Sequence, residues 1–441
     1  MAPMVAAAIG AVSLLAACSS GAPTPATTSS AAGSATGSSS STTAATSTTS
    51  SATAAAAACV KDPQAVTAVQ PAATSTGALP ADLVTTLDQA AAAGVKEAAS
   101  PGAIVGVRTP KGTWIKAYGD SDPIKKQAMT ADMHVRIGSV TKPFTGTLIM
   151  QLVEQGKISL DDPISKYVPG VPNGDQVTLK LLDIMRSGVA SYSRNDEFVK
   201  LIFATPDRVF TPDELLKYGY ALSPAFAPGA DFEYSNSNTL LLGKVVEKVT
   251  GKTLQQAYQS MIFEPLKLSQ TTAAGTSPDM PTPFARGYTL QGVSGTTPAD
   301  ATNYNPSWAG AAGEIVSDAA DMLTFARAVG TGQGLLKPAT QVTRLNTWAP
   351  AGGYGFQWAC AGGWVGHTGE LPGYNVTVWY DTTTDSSVVV AANSDIASGG
   401  CSASPTLTDN PTEPICSSPG VRVFVAVSKA LGHEFVPTPK S

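Results

Sequence analysis

The chain has 441 residues, of which 14% are charged, and its formal net charge at pH 7 is −5. This weakly acidic balance argues against a nucleic-acid partner, because nucleic-acid binding requires a concentrated positive surface. The 5 cysteines include no Cys-x-x-Cys pair and no two of the 3 histidines have ligand spacing, so the sequence predicts neither a metal site nor a cofactor.

The first 18 residues have the pattern of an export signal. Met4 to Ala17 form an apolar run that is too short to cross a membrane as a helix. The run ends in Leu15-Ala16-Ala17-Cys18, which resembles the bacterial lipobox, whose cysteine is lipidated and becomes the first mature residue. We therefore expect a lipid anchor at Cys18 and a location at the outer face of the cell membrane. An ordinary cleaved signal with an incidental cysteine is the alternative.

The segment after Cys18 has low complexity. Residues 19–58 are nearly all Ser, Thr, Ala, Gly or Pro, without charge or aromatic rings, so they cannot bury a core. We predict a disordered tether over residues 19–60. One folded domain is predicted over residues 61–441, which is long enough for a two-lobed unit.

The predicted elements of this domain begin with a helix over residues 80–99 and a hairpin from Gly102 to Gly119. Mostly helical segments follow: Lys142–Glu154, Leu179–Met185, Pro212–Tyr220, Asn238–Thr250 and Leu254–Ile262. The last elements are short strands and a closing helix: Tyr354–Trp358, Trp364–His367, Val376–Tyr380, Val388–Ala392 and Val421–Leu431. We expect the hairpin and the last strands to form one antiparallel sheet flanked by the terminal helices, with an inserted helical lobe, in an α/β (α+β) fold.

Ser139 and Lys142 form a Ser-x-x-Lys motif at the start of a predicted helix. Residues three apart on a helix lie on the same side, so this hydroxyl and amine can touch. A serine hydroxyl needs an adjacent base to become a good nucleophile, and lysine can be that base where burial lowers its pKa. An isolated match is more often a capping serine followed by a surface lysine, so the motif needs support from elsewhere in the chain.

Two further motifs supply that support. Tyr234-Ser235-Asn236 follows the turn residues Pro228-Gly229, and His367-Thr368-Gly369 ends an apolar stretch. In this order the three motifs resemble those of the penicillin-recognising serine enzymes, especially class C β-lactamases and low-molecular-weight D-alanyl-D-alanine carboxypeptidases. The resemblance covers about residues 80–432 and implies a β-lactamase/transpeptidase-like fold, with the active site between its two lobes.

The side chains of these three motifs suit acyl transfer. Ser139 is the nucleophile, and Lys142 and Tyr234 are the proton-transfer pair, with the choice of base left open between them. The oxyanion needs two donors. The backbone N–H of Ser139 at a helix start is one, and by resemblance the N–H of Glu370 is the other. Asn236 is expected to hydrogen-bond a substrate amide.

The third motif also bears on substrate charge. His367 stands where most relatives have lysine, so we expect weaker binding of a substrate carboxylate. This binding is expected to strengthen as pH falls and His367 gains charge. Thr368 can still donate to an anion, whereas the Glu370 carboxylate would repel one if it pointed inward. Arg286 is a candidate fixed positive charge, although a surface position is the simpler interpretation.

These residues lead to a main hypothesis and several alternatives. The main one is a membrane-anchored D-alanyl-D-alanine carboxypeptidase acting on peptidoglycan stem peptides. The alternatives are an esterase or a β-lactamase with the same Ser-Lys-Tyr site, acting on small esters or β-lactams, or a non-catalytic lipoprotein that binds penicillin or cell-wall peptides. An ordinary Ser-His-Asp hydrolase is disfavoured because the chain has no Gly-x-Ser-x-Gly motif. The oligomeric state is left open.

The cysteines fit a location outside the cytoplasm. If Cys18 carries lipid, four cysteines remain, and this even number suggests two disulfides. Cys401 and Cys416 flank a Ser/Pro/Thr-rich loop and are the expected local pair. A bond between Cys59 and Cys360 then follows by elimination.

Overall fold

The computed structural model describes residues 59–70, 77–348, 353–398 and 418–436. The helices are α1 (Pro63–Ala68), α2 (Ala81–Ala98), α3 (Thr141–Glu154), α4 (Leu179–Asp183), α5 (Asp196–Ala204), α6 (Pro212–Tyr220), α7 (Asn236–Thr250), α8 (Leu254–Tyr258), α9 (Glu264–Leu266), α10 (Ala319–Thr331), α11 (Pro338–Asn346) and α12 (Pro419–Ala430). The strands are β1 (Gly102–Thr109), β2 (Gly112–Asp122), β3 (Gln127–Ala128), β4 (Val135–Arg136), β5 (Thr272–Ala273), β6 (Tyr288–Thr289), β7 (Ala299–Asp300), β8 (Ile315–Ser317), β9 (Tyr354–Gly355), β10 (Trp358–Ala361), β11 (Trp364–Leu371), β12 (Tyr374–Asp381) and β13 (Ser386–Ala392).

The main sheet joins the two ends of the folded chain. Its eight strands are antiparallel and lie in the order β3-β2-β1-β13-β12-β11-β10-β9. The first hairpin meets the last strands at β1 and β13, where Val105 lies opposite Val390. Both residues are buried, as expected for a strand covered on both faces. The expected joining of the hairpin and the last strands into one antiparallel sheet, with a helical lobe inserted between them, is confirmed. The inserted segment also contains two small sheets, β4-β8-β5 and β6-β7.

Helices cover both faces of this sheet. The terminal helices α2 and α12 pack on one face, where the rings of Trp379 and Phe424 stack with centroids 5.9 Å apart. Helices α3 and α10 pack on the other face, where the rings of Phe144 and Phe325 stack 3.5 Å apart. Aromatic side chains bury large apolar areas, so these contacts contribute strongly to the packing of the layers.

One predicted strand is wrong in detail. The segment predicted as a single strand, Tyr354–Trp358, is divided between β9 and β10 by a turn at Phe356 and Gln357, which have φ values of 43° and 64°. The turn is held from the helical lobe, because Gln357 N–H donates to the Asp183 carbonyl at 2.9 Å and Thr239 Oγ1 donates to Gln357 Oε1 at 2.6 Å. These contacts are long-range, and the local pattern does not contain them.

A disulfide joins the start of the described chain to the sheet. Cys59 is bonded to Cys360 on β10, with Cα atoms 6.1 Å apart. This is the pair that elimination predicts from the sequence. Cys401, Cys416 and Cys18 lie outside the described residues, so the second disulfide and the lipid anchor stay predictions. Among the helices that the structure describes, none is both long and apolar enough to cross a membrane.

Candidate active site

Ser139 lies on a short 3-10 turn, Gly138–Val140, that leads directly into α3. Because α3 is buried on nearly all sides, core packing holds Ser139 in place. The side chain opens into a pocket that we call the Ser139 pocket. Its lining residues are Ser139, Tyr192, Ser193, Phe198, Ile202, Phe203, Tyr234, Asn236, Gln291, Trp308, Ala309, Ala312, Gly313, Glu370, Leu371 and Pro372.

Lys142 lies one helical turn after Ser139 and is fully buried. Its Nζ donates to Ser139 Oγ at 2.9 Å and to the Ala312 carbonyl at 3.0 Å. Burial lowers the pKa of Lys142 well below its usual value. A neutral amine at this distance can accept the hydroxyl proton as Ser139 attacks a carbonyl carbon.

Tyr234 completes this group. The Lys142 Nζ lies 4.8 Å from the centre of the Tyr234 ring. Burial raises the pKa of Tyr234 above its usual value, and the contact with the Ser139 hydroxyl only partly offsets this. The phenol therefore stays protonated at neutral pH. The geometry favours Lys142 as the base and Tyr234 as a hydrogen-bonding group that can pass a proton to the leaving group.

The backbone beside Ser139 lies in tight contact with β11. Gly138 has a φ of +51°, and a Cβ at this position would lie 2.7 Å from the Glu370 nitrogen. A Cβ on Gly369 would lie 1.9 Å from the Ile137 carbonyl oxygen. Only glycine fits at either position. The close approach brings the Glu370 N–H next to the Gly138–Ser139 peptide, as a two-donor oxyanion site requires.

Asn236 is the first residue of α7 and lines the Ser139 pocket. Its backbone N–H donates to Ser191 Oγ at 3.0 Å, and its side-chain Nδ2 donates to Ser193 Oγ at 3.0 Å. These two serines orient the amide, so its side-chain oxygen is the atom available to a substrate N–H. The Tyr-x-Asn motif predicts Asn236 in the site, but no sequence motif predicts the two supporting serines.

His367 is buried, and its position contradicts one expectation. Its Nε2 lies 3.0 Å from Tyr354 Oη, and its Nδ1 contacts the Thr368 carbonyl. Burial lowers the pKa of His367 to about 3, and the nearby Lys142 contributes to the shift. The expectation that His367 gains charge as pH falls in the mildly acidic range is therefore wrong, because desolvation disfavours the imidazolium.

A pH series tests this neutral His367. The ratio of kcat/KM for a carboxylate-bearing ester to that for a matched neutral ester is expected to have the same pH dependence in wild type and His367→Gln between about pH 5.5 and about pH 8. His433→Gln, which removes a histidine paired with Asp381 away from the pocket, is the matched control. A pH dependence that disappears only in His367→Gln would show that His367 titrates in this range.

Neither of the other two candidates for anion binding lines the Ser139 pocket. The Thr368 hydroxyl is buried and has no hydrogen-bond partner among the described residues, and Thr368 is absent from the pocket lining. Arg286 is paired with Asp300 at 2.5 Å and with Asp122 at 3.3 Å, and it is absent from the lining of the Ser139 pocket. The proposed role of Arg286 as a charge in the site is therefore not supported.

The pocket also has an apolar wall that the sequence motifs do not predict. This wall comes from α5, the turn before it and two later segments: Tyr192, Phe198, Ile202, Phe203, Trp308 and Leu371. The signal for α5 was present, because Asn195 caps the helix through bonds to the N–H groups of Glu197 and Phe198. Within the described ranges, no group of three or more His, Cys, Asp or Glu residues is placed to hold a metal ion.

Comparisons with known proteins agree with this geometry. The beta-lactamase family model matches residues 87–403. The chain belongs to the beta-lactamase family. It is 33% identical over 171 residues to a beta-lactamase of Escherichia coli (strain K12), covering 39% of this chain and 43% of that protein. It is also 33% identical over 176 residues to a teichoic acid D-alanine hydrolase of Staphylococcus aureus (strain MRSA252), covering 39% and 41%. The matches thus span less than half the length of these two curated relatives.

A solved structure extends the similarity over a larger part of the chain. A D-stereospecific amidohydrolase from Streptomyces sp. superposes with a TM-score of 0.64 at 32% identity, covering 70% of this chain and 94% of that chain. Together with the family match, this confirms the predicted β-lactamase-like fold. These three relatives are all named as hydrolases, and the arrangement of Ser139, Lys142 and Tyr234 is that of a serine hydrolase of the beta-lactamase family.

Proposed function

We propose that this member of the beta-lactamase family hydrolyses amide or ester bonds of D-amino acid residues through an acyl-enzyme on Ser139. The observation that carries the proposal is the charge of the Ser139 pocket. Among the described residues, no Lys, Arg or His lines it, whereas Glu370 does. A substrate carboxylate placed there finds no cation in the lining, so a neutral leaving group such as an amine or alcohol fits better.

The preference for D-residues is supported by the relatives. One is named for D-stereospecific amide hydrolysis and another for hydrolysis of D-alanine from teichoic acid. Both names specify hydrolysis and the D configuration, and the second also specifies D-alanine. The same acyl-enzyme chemistry on Ser139 serves an amide and an ester, because the two differ only in the leaving group.

The D-alanyl-D-alanine carboxypeptidase predicted from the sequence is the second candidate. The order of the Ser-x-x-Lys, Tyr-x-Asn and His-Thr-Gly motifs supports it, since this order resembles that of low-molecular-weight D-alanyl-D-alanine carboxypeptidases. β-Lactamase activity is a third candidate, because the chain belongs to the beta-lactamase family.

A substrate panel separates these activities. Purified protein is assayed with D- and L-alanine p-nitroanilide, a D-alanyl ester, a D-Ala-D-Ala peptide and a chromogenic cephalosporin. We expect the D-anilide or D-ester to exceed the carboxylate-bearing peptide in kcat/KM by about 10-fold or more, because one charged hydrogen bond is missing. A higher value for the D-Ala-D-Ala peptide would establish the carboxypeptidase instead. Equal rates for D- and L-anilides would refute the D-specific assignment.

We also propose that the protein acts outside the cytoplasm, tethered through Cys18. The lipobox-like sequence supports this, and a disulfide such as Cys59–Cys360 is typical of oxidising compartments. Cys18→Ser is expected to move the protein from the detergent phase to the aqueous phase, and Ser20→Ala serves as the control. Equal partitioning of Cys18→Ser and wild type would contradict a lipid anchor at this cysteine.

A further inference from the structure

The apolar wall of the Ser139 pocket is held in place by contacts between its own aromatic rings. The Phe198 ring lies edge-on to the Tyr192 ring, with centroids 5.2 Å apart, and its centroid is 6.3 Å from that of Trp308. The Tyr192 hydroxyl donates to the Trp308 carbonyl at 2.8 Å, so the polar atom of this phenol is bonded within the wall. Ring pairs at these distances are favourable and specific in geometry, so the wall has its shape before a substrate binds.

The polar side chains that line the pocket are few, and they are bonded to one another. Asn236 Nδ2 donates to Ser193 Oγ at 3.0 Å, and Gln291 Nε2 donates to Glu370 Oε1 at 3.3 Å. Outside these groups and the catalytic side chains, the described lining is the apolar wall together with alanine, glycine and proline residues. A pocket of this composition binds an apolar group, which its few polar side chains orient.

The apolar wall begins at both groups that hold the acyl part of a substrate. Tyr192 directly precedes Ser193, which orients Asn236, the expected partner of a substrate N–H. Leu371 directly follows Glu370, whose backbone N–H is assigned to the oxyanion site. In an aminoacyl group, the carbon that bears the side chain lies between the carbonyl carbon and the nitrogen. A residue whose carbonyl and N–H are bound at these two places therefore directs its side chain to the apolar wall.

The leaving group meets a different part of the site. Tyr234 is the group assigned to pass a proton to it. Among the described residues, the rings that contact the Tyr234 ring are those of Tyr354 and His367, with centroids 5.9 Å and 6.0 Å away. Neither of these rings belongs to the apolar wall. The two sides of the scissile bond thus have different surroundings, and the apolar wall lies on the acyl side.

We infer that the apolar wall binds a large apolar side chain of the residue that acylates Ser139, so that the enzyme prefers D-aminoacyl substrates with an aromatic or branched apolar side chain over D-alanyl substrates. This rests on the proposed function and names its substrate class. A phenyl ring placed on the wall is removed from water, whereas the methyl group of D-alanine covers little of the wall. The apolar wall then determines specificity for the acyl residue.

The test compares the methyl esters of D-phenylalanine and D-alanine. Wild type is expected to prefer the D-phenylalanine ester in kcat/KM by about 10- to 100-fold, the usual effect of burying one large apolar side chain. Phe203→Ala, which removes a half-buried ring of the wall, and Ile202→Asn, which places an amide in the wall, are each expected to lose most of this preference. Phe284→Ala, which removes a half-buried ring outside the pocket lining, is the matched control and should keep the wild-type ratio.

A second pair of substrates separates the acyl side from the leaving-group side. The benzyl and methyl esters of D-alanine differ only in the leaving group, and both wall variants are expected to keep the wild-type ratio for this pair. If the wall variants change the benzyl-to-methyl ratio and leave the D-phenylalanine-to-D-alanine ratio unchanged, the wall binds the leaving group and the inference is overturned. Because each ratio compares two substrates on one preparation, partial misfolding of a variant cancels.

Failure of the inference and failure of the proposed function are distinguishable. If wild type hydrolyses both methyl esters but does not prefer D-phenylalanine, or if the wall variants keep the wild-type preference, the inference is overturned and the proposed function stands. If wild type hydrolyses no D-amino acid ester or anilide, the proposed function fails and the inference fails with it.

Discussion

Lys142→Met is expected to lower kcat by about 10²–10⁴-fold with a much smaller change in KM, the usual effect of removing a proton-transfer group. Lys142 is buried, its pKa is lowered, and its Nζ lies 2.9 Å from Ser139 Oγ. Methionine keeps the apolar stem and removes the amine. Steady-state kinetics on the best substrate of the panel measures the effect, and thermal unfolding shows whether the variant is folded.

Control variants test whether Lys142, rather than a neighbouring group, is the base that accepts the Ser139 proton. Lys166→Met removes an exposed lysine paired with Asp162 and is expected to keep the wild-type kcat. Tyr234→Phe is expected to lower kcat but to keep the decline of kcat/KM at low pH, because protonation of Lys142 still removes the base. A folded Lys142→Met variant with kcat close to wild type would show that another group accepts the Ser139 proton.

Gly369→Ala is expected to lower kcat by about 10²–10³-fold, the effect of losing one oxyanion donor. The new Cβ would lie 1.9 Å from the Ile137 carbonyl oxygen and 3.0 Å from the Val140 nitrogen, so β11 must move away from the Ser139 turn. That movement separates the Glu370 N–H from the oxyanion position. Kinetics on a neutral D-ester and the rate of Ser139 labelling by a fluorophosphonate both report the loss.

Gly106→Ala is the matched control for this substitution. Gly106 lies on β1 of the same sheet, and its added Cβ would first meet a methyl group of Leu323 at 3.0 Å, which a small rotation can relieve. It is expected to lose some stability but to keep kcat. A folded Gly369→Ala variant with kcat similar to that of Gly106→Ala would contradict the assignment of Glu370 N–H to the oxyanion site.

The parts of the site that the sequence predicts depend on local geometry. Ser139 and Lys142 meet because they are three residues apart at the start of a helix, and Gly369 precedes Glu370 in one strand. The sheet was also predictable, because the hairpin and the last strands were too few to form separate sheets. Helix α6 follows the prediction to the residue, since Thr211 caps it and Pro212 begins it.

The parts that the sequence does not predict depend on distant contacts. The neutral state of His367 follows from burial beside Tyr354 and Lys142, and no motif encodes that burial. Gln291 precedes Glu370 by 79 residues and lies after the short strand β6, so nothing in the local pattern links the two. The residues that affect substrate selectivity are therefore brought together only by folding. The nucleophile and its base, by contrast, can be predicted from one helical turn.

The central claim is that Ser139 forms a covalent acyl-enzyme, and peptide mass spectrometry tests it most directly. After reaction with a fluorophosphonate or a fluorescent penicillin, we expect one adduct on the peptide that contains Ser139, absent in Ser139→Ala. Ser193→Ala, which removes another serine that lines the pocket, is expected to keep the label. Full labelling of Ser139→Ala, or an adduct on a different residue in wild type, would contradict the account.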